Sequence, residues 1–462
     1  MNPRTLEVEQ LTLTKSQIEP DKKLSWLCLL LICLFLFGRY YVHDMPQAIE
    51  KELLDYLGLS NLQYNLLFSV YSVPNMILPL VGGYIIDKLG IRFSVCLFSL
   101  LVFIGQSFFF LGIYQKSYYC MILGRTILGF GGETLPIAKA VAIIKWFPVH
   151  GQAFAFGLAM AATKLAGMSN SFLTPRLYSL TKSLNFVAII GITACILSVI
   201  AAAFFSFLDR KAERENPRMK NLEADRLRGQ SYAIGLKEIA AFQPAYWYLA
   251  ASAALSMGSF FAFLNQANAY LQLRNGMTAV EAGGLLTILV YFVSLVLCPV
   301  AGIIADKYGH RDRAIIVMNS TIVLSLIFLL VLPDSTHSPL YYIPFVAFGA
   351  YYAFGPANNW CSVPLLAKYE ESGRAFGVTF SILNITLSSM PIFVGLLQDS
   401  AGSPHQGFFR AVVLLAMTGA LGVVLAVKMK IADKDALLSK VYNNENNQSK
   451  EPEEMTTEDA PQ

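Results

Sequence analysis

Apolar positions in this chain do not alternate with polar ones, as barrel strands would require; they gather into runs such as 24–37, 187–207 and 411–427. Runs of this kind approach the ~20 residues that a helix needs to cross a ~30 Å hydrocarbon layer. Broken at charged residues and at Pro or Gly, they predict twelve helical spans: 24–43, 61–87, 92–114, 118–146, 151–173, 184–207, 243–272, 279–305, 313–333, 339–366, 374–397 and 408–428. The expected fold class is therefore an all-α polytopic membrane protein. An even count puts both termini on one side. Lys22, Lys23, Lys88, Arg92, Lys145, Lys307, Arg311 and the basic stretch 210–228 fall on that side, against Lys51, Lys116, Arg176, Lys182, Arg274 and Arg410 opposite, which makes both termini cytosolic.

Polar interruptions divide the chain further. A short cytosolic segment, 1–23, precedes the first half, 24–207; a charged linker, 208–242, separates it from the second half, 243–428. The remainder, 429–462, is too poor in apolar residues to fold alone and is expected to be a disordered cytosolic tail. An internal repeat supports this division. Gly83-x3-Asp87-Lys88-x-Gly90-x-Arg92 recurs as Gly302-x3-Asp306-Lys307-x-Gly309-x-Arg311, and Ala155-Phe156-Gly157 as Ala375-Phe376-Gly377. Two parallel six-helix units joined by a linker are the plan of a carrier whose halves rock about a central site.

Composition narrows the function. With 55% hydrophobic and 14% charged residues, against roughly 45–50% and 25% in soluble domains, a soluble enzyme and a secreted disulfide scaffold are excluded. The net charge of +4 is spread over short loops and does not suit nucleic acid. Seven cysteines sit in or beside apolar runs at spacings that match no metal motif, and no nucleotide motif or nucleophile triad appears. No enzyme activity, metal or cofactor is expected. The first apolar run follows Lys22 and Lys23 without a small-residue cleavage site, so it reads as a retained span.

Charges inside spans mark functional sites by default. Glu133 and Lys164 lie equally far from the turn near Pro148, roughly 20 Å from the cytosolic ends at ~1.5 Å per residue, and hence level with each other near the midplane. One charge of each sign at one depth fits a zwitterion; a dipeptide's termini stand roughly 6–7 Å apart at ~3.5 Å per residue. The alternative is that the two residues simply pair. Arg125, on the glycine-rich stretch Gly124-Arg125-x3-Gly129-x-Gly131-Gly132, either braces carbonyls or acts in transport. Lys139 should point to another face than Glu133, with Pro136 between them. His43 and Asp44 read as a solvated helix end or as a proton or gating site, and Arg39 is expected to face Asp44 or lipid headgroups. Glu281 fits a Thr278-x2-Glu281 capping box. In the second half Asn265, Gln266, Asn268, Tyr291, Asn358, Asn359, Trp360 and Asn384 predict a neutral polar and aromatic wall.

The repeated Gly-x3-Asp-Lys-x-Gly-x-Arg motif resembles that of the major facilitator superfamily, in loops between spans two and three and between eight and nine. The resemblance implies two six-helix halves and gating roles for Asp87, Arg92, Asp306 and Arg311; the alternative is a loop anchor that sets topology. Span five lacks the Gly-Pro pattern of the superfamily's drug antiporters. A closer similarity, to the lysosomal dipeptide uniporters, rests on Gly38-Arg39-Tyr40-Tyr41, Asp44-Met45-Pro46, Tyr71-Ser72-Val73-Pro74-Asn75, Gly131-Gly132-Glu133-Thr134-Leu135, Trp146-Phe147, Phe156-Gly157-Leu158 with Lys164 and Asn170, and Ser381-x2-Asn384. In that family a span-four glutamate and a span-five arginine hold the ends of a peptide. Glu133 matches the first, but Lys164 replaces the arginine, a point charge in place of a bidentate fork. Lys139 stands where the family shows an uncharged amide.

Together these features imply a carrier for small zwitterionic solutes, foremost dipeptides, working by uniport. Its site residues would be Glu133, Lys164, Asn170, Tyr291, Asn384 and Trp360, with Arg125, Asp44 and Lys139 in coupling or structural roles. The alternative is a proton-coupled carrier of another organic solute, such as a carboxylate or siderophore. The expected partners are a small-molecule solute and the lipid bilayer, with room for an accessory subunit beside a monomeric transport unit. The expected location is a bacterial inner membrane or a lysosomal or endosomal membrane; Glu7-Val8-Glu9-Gln10-Leu11-Thr12 lacks the second apolar residue of an acidic dileucine signal.

Overall fold

A computed structural model describes residues 22–79, 86, 88–147, 149–215, 241–334, 338–367 and 372–439. Among the described residues every regular element is helical, and nine stretches are long and apolar enough to cross a membrane. Grouped at their breaks, the helices make twelve passes. The first half holds α1 (Lys22–Ala48), the short α2 (Glu50–Leu57), α3 (Asn61–Ser72), α4 (Ile91–Tyr114), α5 (Tyr118–Gly132) with α6 (Leu135–Trp146) as one broken pass, α7 (Val149–Thr181) and α8 (Leu184–Glu215). The second half holds α9 (Pro244–Leu264) with α10 (Ala267–Asn275), then α11 (Ala279–Leu286), a π-helical turn (Thr287–Phe292) and α12 (Val293–Tyr308) as one pass, followed by α13 (Arg311–Val331), α14 (Tyr342–Leu366), α15 (Ser372–Asp399) and α16 (Pro404–Ala432).

Local sequence explains the starts and breaks. Ser60 and Gln63 cap α3 reciprocally, and Thr278 and Glu281 do the same for α11, as its Thr-x2-Glu pattern predicts. Gly58 closes α2 at φ 63°, a left-handed conformation that costs glycine nothing. The regular part of α3 ends ahead of Pro74, and a 3-10 turn, Pro74–Met76, follows. The fourth pass breaks at Glu133 and Thr134, because Pro136 cannot donate to the turn before it.

Each half packs its own core. Phe35, Val95, Phe98, Leu128, Trp146 and Phe205 fill the first, and Phe260, Phe263, Tyr270, Phe345, Phe348 and Tyr351 the second. The apolar residues left outward, such as Leu197, Phe207, Leu324 and Met417, face where acyl chains would lie. At the end of the molecule that carries the termini (the near end), Asp209 is wholly buried in α8. Its carboxylate accepts from Arg92 Nε at 2.7 Å, Lys145 Nζ at 2.8 Å and Trp146 Nε1 at 3.0 Å, and Glu213 joins both cations. Four charges thereby lock α4, α6 and α8 together.

The halves meet at the opposite, far end. Asp399, ending α15, accepts from the Asn61 and Leu62 backbone N–H groups and from Asn61 Nδ2, each at 2.9 Å, so one half caps a helix of the other. Gln266 Nε2, itself held by Gln398 within the second half, donates to Asn65 Oδ1 at 3.0 Å, Tyr64 Oη to the Asn265 carbonyl at 3.1 Å and Ser171 Oγ to the Gly283 carbonyl at 3.0 Å.

Several boundaries differ from the sequence reading, and three of them change how the chain is divided. Helix α1 continues to Ala48, so Asp44 lies within a helix and not at its solvated end. Helix α8 runs to Glu215, beyond the expected start of the linker at 208, and residues 216–240 lie outside the described set. The tail begins as ordered chain. Asp433 accepts from the Leu437 and Leu438 N–H groups, Leu438 is fully buried beside Tyr246 and Ile315, and its carbonyl accepts from Arg311 N at 2.9 Å. Leu438, six residues beyond the helix end, is buried where the segment folds back.

Two predictions follow from burial. Asp209→Asn leaves Arg92 and Lys145 to share the single carboxylate of Glu213 and should cost about 3–5 kcal/mol, read as a lower melting temperature in detergent; the exposed i,i+4 pair Lys211–Glu215 serves as control, since Lys211→Ala should change little. Glu50, buried in α2 outside the spans with Oε2 unpartnered, has its carboxyl raised well above the ordinary 4.5, first by burial and then by Glu52. The native state then holds a proton that the unfolded chain releases, so stability falls as pH rises through the ordinary carboxylate range. Glu50→Gln should melt higher than the parent at pH 7, and the two melting curves should converge near pH 4.

Candidate functional site

Ionisable side chains converge around the middle of the first half. Arg39 of α1 is almost fully buried, lies with its guanidinium 4.1 Å from the Tyr40 ring centroid, and donates through Nη2 to Tyr71 Oη at 2.5 Å and to Glu133 Oε1. Tyr71 Oη donates to the same carboxylate oxygen at 2.9 Å. The helix break aims Glu133 inward, and its side chain keeps 25% of its surface exposed. Its other oxygen, Oε2, makes no hydrogen bond among the described residues and remains open to the interior.

Arg125 has no exposed surface. It donates to the carbonyls of Leu67 at 3.1 Å, and of Val42 and His43 at 3.3 Å, which is the bracing reading. Those carbonyls belong to α1 and α3, so one guanidinium sets both helices against α5. Lys139 is buried with Nζ 3.9 Å from Met160 Sδ of α7.

Lys164, at the middle of α7, makes no ion pair with Glu133. Its ammonium lies over the ring of Tyr352 in α14, 2.8 Å from the centroid, and so reaches the other half. Asp44 also crosses between halves. Its carboxylate pairs with His43 Nδ1 at 2.7 Å and accepts from Tyr291 Oη at 3.1 Å, and Tyr291 Oη in turn accepts from Gln47 Nε2 at 2.9 Å. Tyr291 belongs to the π-helical turn, a local irregularity that recurs at functional positions.

The structure corrects several expectations. Arg39 pairs with Glu133, not with Asp44 or headgroups. The isolated Glu133–Lys164 pair does not form, because Arg39 and Tyr71 engage Glu133 first. Asn170 is buried, accepts from Thr174 Oγ1 at 2.7 Å and leaves Nδ2 unpartnered. Asn384 Nδ2 donates to its own helix at the Phe380 carbonyl, while Trp360 stacks on Phe380 at 4.6 Å between centroids. Among the gating residues, Arg92 is held by Asp209 and Glu213 within its own half, and Arg311 is buried at the start of α13. Asp87 and the side chain of Asp306 lie outside the described residues.

Sequence reasoning missed Tyr352, and with it the occupant of the Lys164 ammonium. The available signal was helical spacing, since Tyr352 and Asn359 share a face of α14 with Trp360 alongside. The partnership of Arg39 and Glu133, ninety-four positions apart, left no local mark.

If the far-end bonds hold that face shut, Asp399→Ala, which removes three bonds to a charged acceptor, should open it. At about 1.5–3 kcal/mol for a charged hydrogen bond, the open population should rise roughly tenfold or more. Electron–electron distance measurements between labels at Tyr119→Cys and Leu340→Cys, in a background without the native cysteines, should show a longer separation; an unchanged distribution would sink the idea.

The sequence pattern of the Major Facilitator Superfamily matches residues 27–391. The chain is similar to the lysosomal dipeptide transporter MFSD1 of Homo sapiens, 28% identical over 86% of this chain and 85% of the relative, and to that of Danio rerio, 26% identical over 86% of each. It is also 24% identical to the hexuronate transporter of Escherichia coli (strain K12), over 32% of this chain and 33% of the relative.

Proposed function

Because this chain belongs to the Major Facilitator Superfamily and is a multi-pass membrane transporter of small molecules, not an enzyme, we propose that its solutes are small zwitterions, foremost dipeptides. The observation that carries the reading is Lys164. It places an ammonium at mid-depth that forms no ion pair among the described residues, with the Asp44 carboxylate nearby but not in contact, and reaches across to the other half. A solute carboxylate supplies what this cation lacks. The solute's ammonium goes to Glu133 Oε2, the oxygen that Arg39 and Tyr71 leave open. Buried Asn170, with one amide hydrogen-bonding group unspent, serves the peptide backbone, and Tyr291, Trp360 and Asn384 form the neutral wall opposite.

The two poles are unequal. Glu133 is already matched by Arg39, whereas Lys164 meets only a ring, so recognition is stronger at the carboxylate end. Near mid-depth on α1, α5, α6 and α7 the charged side chains among the described residues are four cations (Arg39, Arg125, Lys139, Lys164) against two carboxylates (Glu133, Asp44). That excess favours a second reading, a carrier of organic monocarboxylates, with which the partial similarity to a hexuronate transporter agrees.

In both readings the near end is cytosolic by its Lys and Arg content. On this reading the far-end bonds belong to a state open to the cytosol, and the gating role of Asp87 and Asp306 is to latch the near end in the opposite state.

The test is competition in proteoliposomes. Loss of a charged hydrogen bond at about 1.5–3 kcal/mol predicts that C-terminal amidation of alanyl-alanine weakens binding roughly 10- to 100-fold. N-acetylation should cost less. Lys164→Ala should abolish the penalty for amidation, and Glu133→Gln that for acetylation. Glucuronate competing better than alanyl-alanine, with no effect of either peptide modification, would favour the second reading.

A further inference from the structure

The contact between Lys164 and Tyr352 joins the middle of α7 in one half to the middle of α14 in the other, the depth at which a solute would have to sit. Tyr352 presents its ring face to the ammonium, and its hydroxyl makes no hydrogen bond among the described residues. Three aromatic residues set its attitude: the rings of Phe260 and Phe261 lie 5.3 and 5.7 Å away between centroids, and Tyr291 stands edge-on at 6.2 Å with planes at 75°. Tyr291 is fixed in turn by its hydrogen bonds to Asp44 and Gln47 of α1. The rings of Tyr291 and Tyr352 therefore reach from the Asp44 carboxylate to the Lys164 ammonium, and the cation rests on a π-face.

A carrier that accomplishes net transport must return its site empty. With solute bound, the carboxylate matches Lys164 as the halves close and water leaves. Without solute, closing would strip water from an ammonium that has no carboxylate in direct contact, which is costly in a low-dielectric interior. An aromatic face attracts a cation most strongly when both are desolvated, and it demands no counter-charge that would then compete with the solute. A carboxylate at position 352 would pair with Lys164 permanently; a leucine would leave it bare.

We propose that the Tyr352 ring stands in for the solute carboxylate on Lys164 in the unloaded carrier, so that the halves can close on an empty site and net flux is possible as well as exchange. The role rests on the reading that Lys164 receives the carboxylate of the solute. Tyr352 acts here as a positioning residue that the solute displaces.

The two transport modes separate this role from packing. Exchange of labelled alanyl-alanine between peptide-loaded compartments never requires the empty carrier to reorient, whereas efflux into peptide-free buffer does. Tyr352→Phe keeps the ring and should behave as the parent in both assays. Tyr352→Leu should lose about tenfold in net efflux while exchange falls less than about threefold. Because leucine could disturb folding, a second series keeps the shape: phenylalanine carrying one, two or three fluorines at position 352 draws electron density from the ring stepwise. Net efflux should decline with each fluorine, at constant exchange. Equal losses in both modes, or a flat fluorine series, would overturn the role of the ring. Failure of the underlying reading has a different signature, since amidated and free alanyl-alanine would then inhibit the parent protein equally well.

Discussion

Charge inside a hydrocarbon layer is tolerated only where protein groups replace the water that would otherwise solvate it, and the first half is arranged around that requirement. Arg125 is the clearest case. Its guanidinium takes up three carbonyls from α1 and α3, which fixes the height and rotation of both helices against α5. Two of those carbonyls belong to Val42 and His43, immediately before Asp44. The brace therefore also sets where Asp44 meets Tyr291 and, one turn earlier on α1, where Arg39 meets Glu133.

The halves answer the same constraint differently. The first half concentrates the buried charge; the second offers tyrosine hydroxyls, amides and ring faces, with Tyr291, Tyr352, Asn359 and Trp360 on the passes that face α1 and α7. Recognition by charge on one wall and by neutral, shape-tolerant contacts on the other suits solutes that share polar ends and differ between them. Irregular backbone interrupts passes in both halves. The break at Glu133, the break at Asn265 and the π-helical turn carrying Tyr291 each free backbone groups that a lipid-facing helix could not leave unsatisfied.

Closure follows from the same economy of contacts. At the far end the halves meet through hydrogen bonds of the backbone and of amides, with Asp399 capping α3 across the interface. Capping interactions are local and exchangeable, individually modest, and well suited to a contact that must break in each cycle. The near-end cluster of Arg92, Lys145, Asp209 and Glu213 is the opposite type: buried, charged, contained within one half, and built to keep that half rigid while it moves.

Much of the fold was legible from one dimension. A span announces itself through about twenty consecutive apolar residues, and the repeated Asp-Lys-x-Gly-x-Arg motif revealed two like halves, because each is a property of neighbouring positions. The inward charges Glu133, Lys164, Arg125 and Lys139 were legible for the same reason, each standing out against its own helix. Which charge meets which was not. Arg39 and Glu133 lie on separate passes, and their pairing depends on the rotation of both helices and on the break at Pro136, so the alternative of a Glu133–Lys164 pair gave way to Arg39–Glu133 and to an ammonium on Tyr352. A periodic pattern specifies a helix and its buried face to within some tens of degrees; an ion pair requires atoms within a few ångströms, and that is decided where the helices pack.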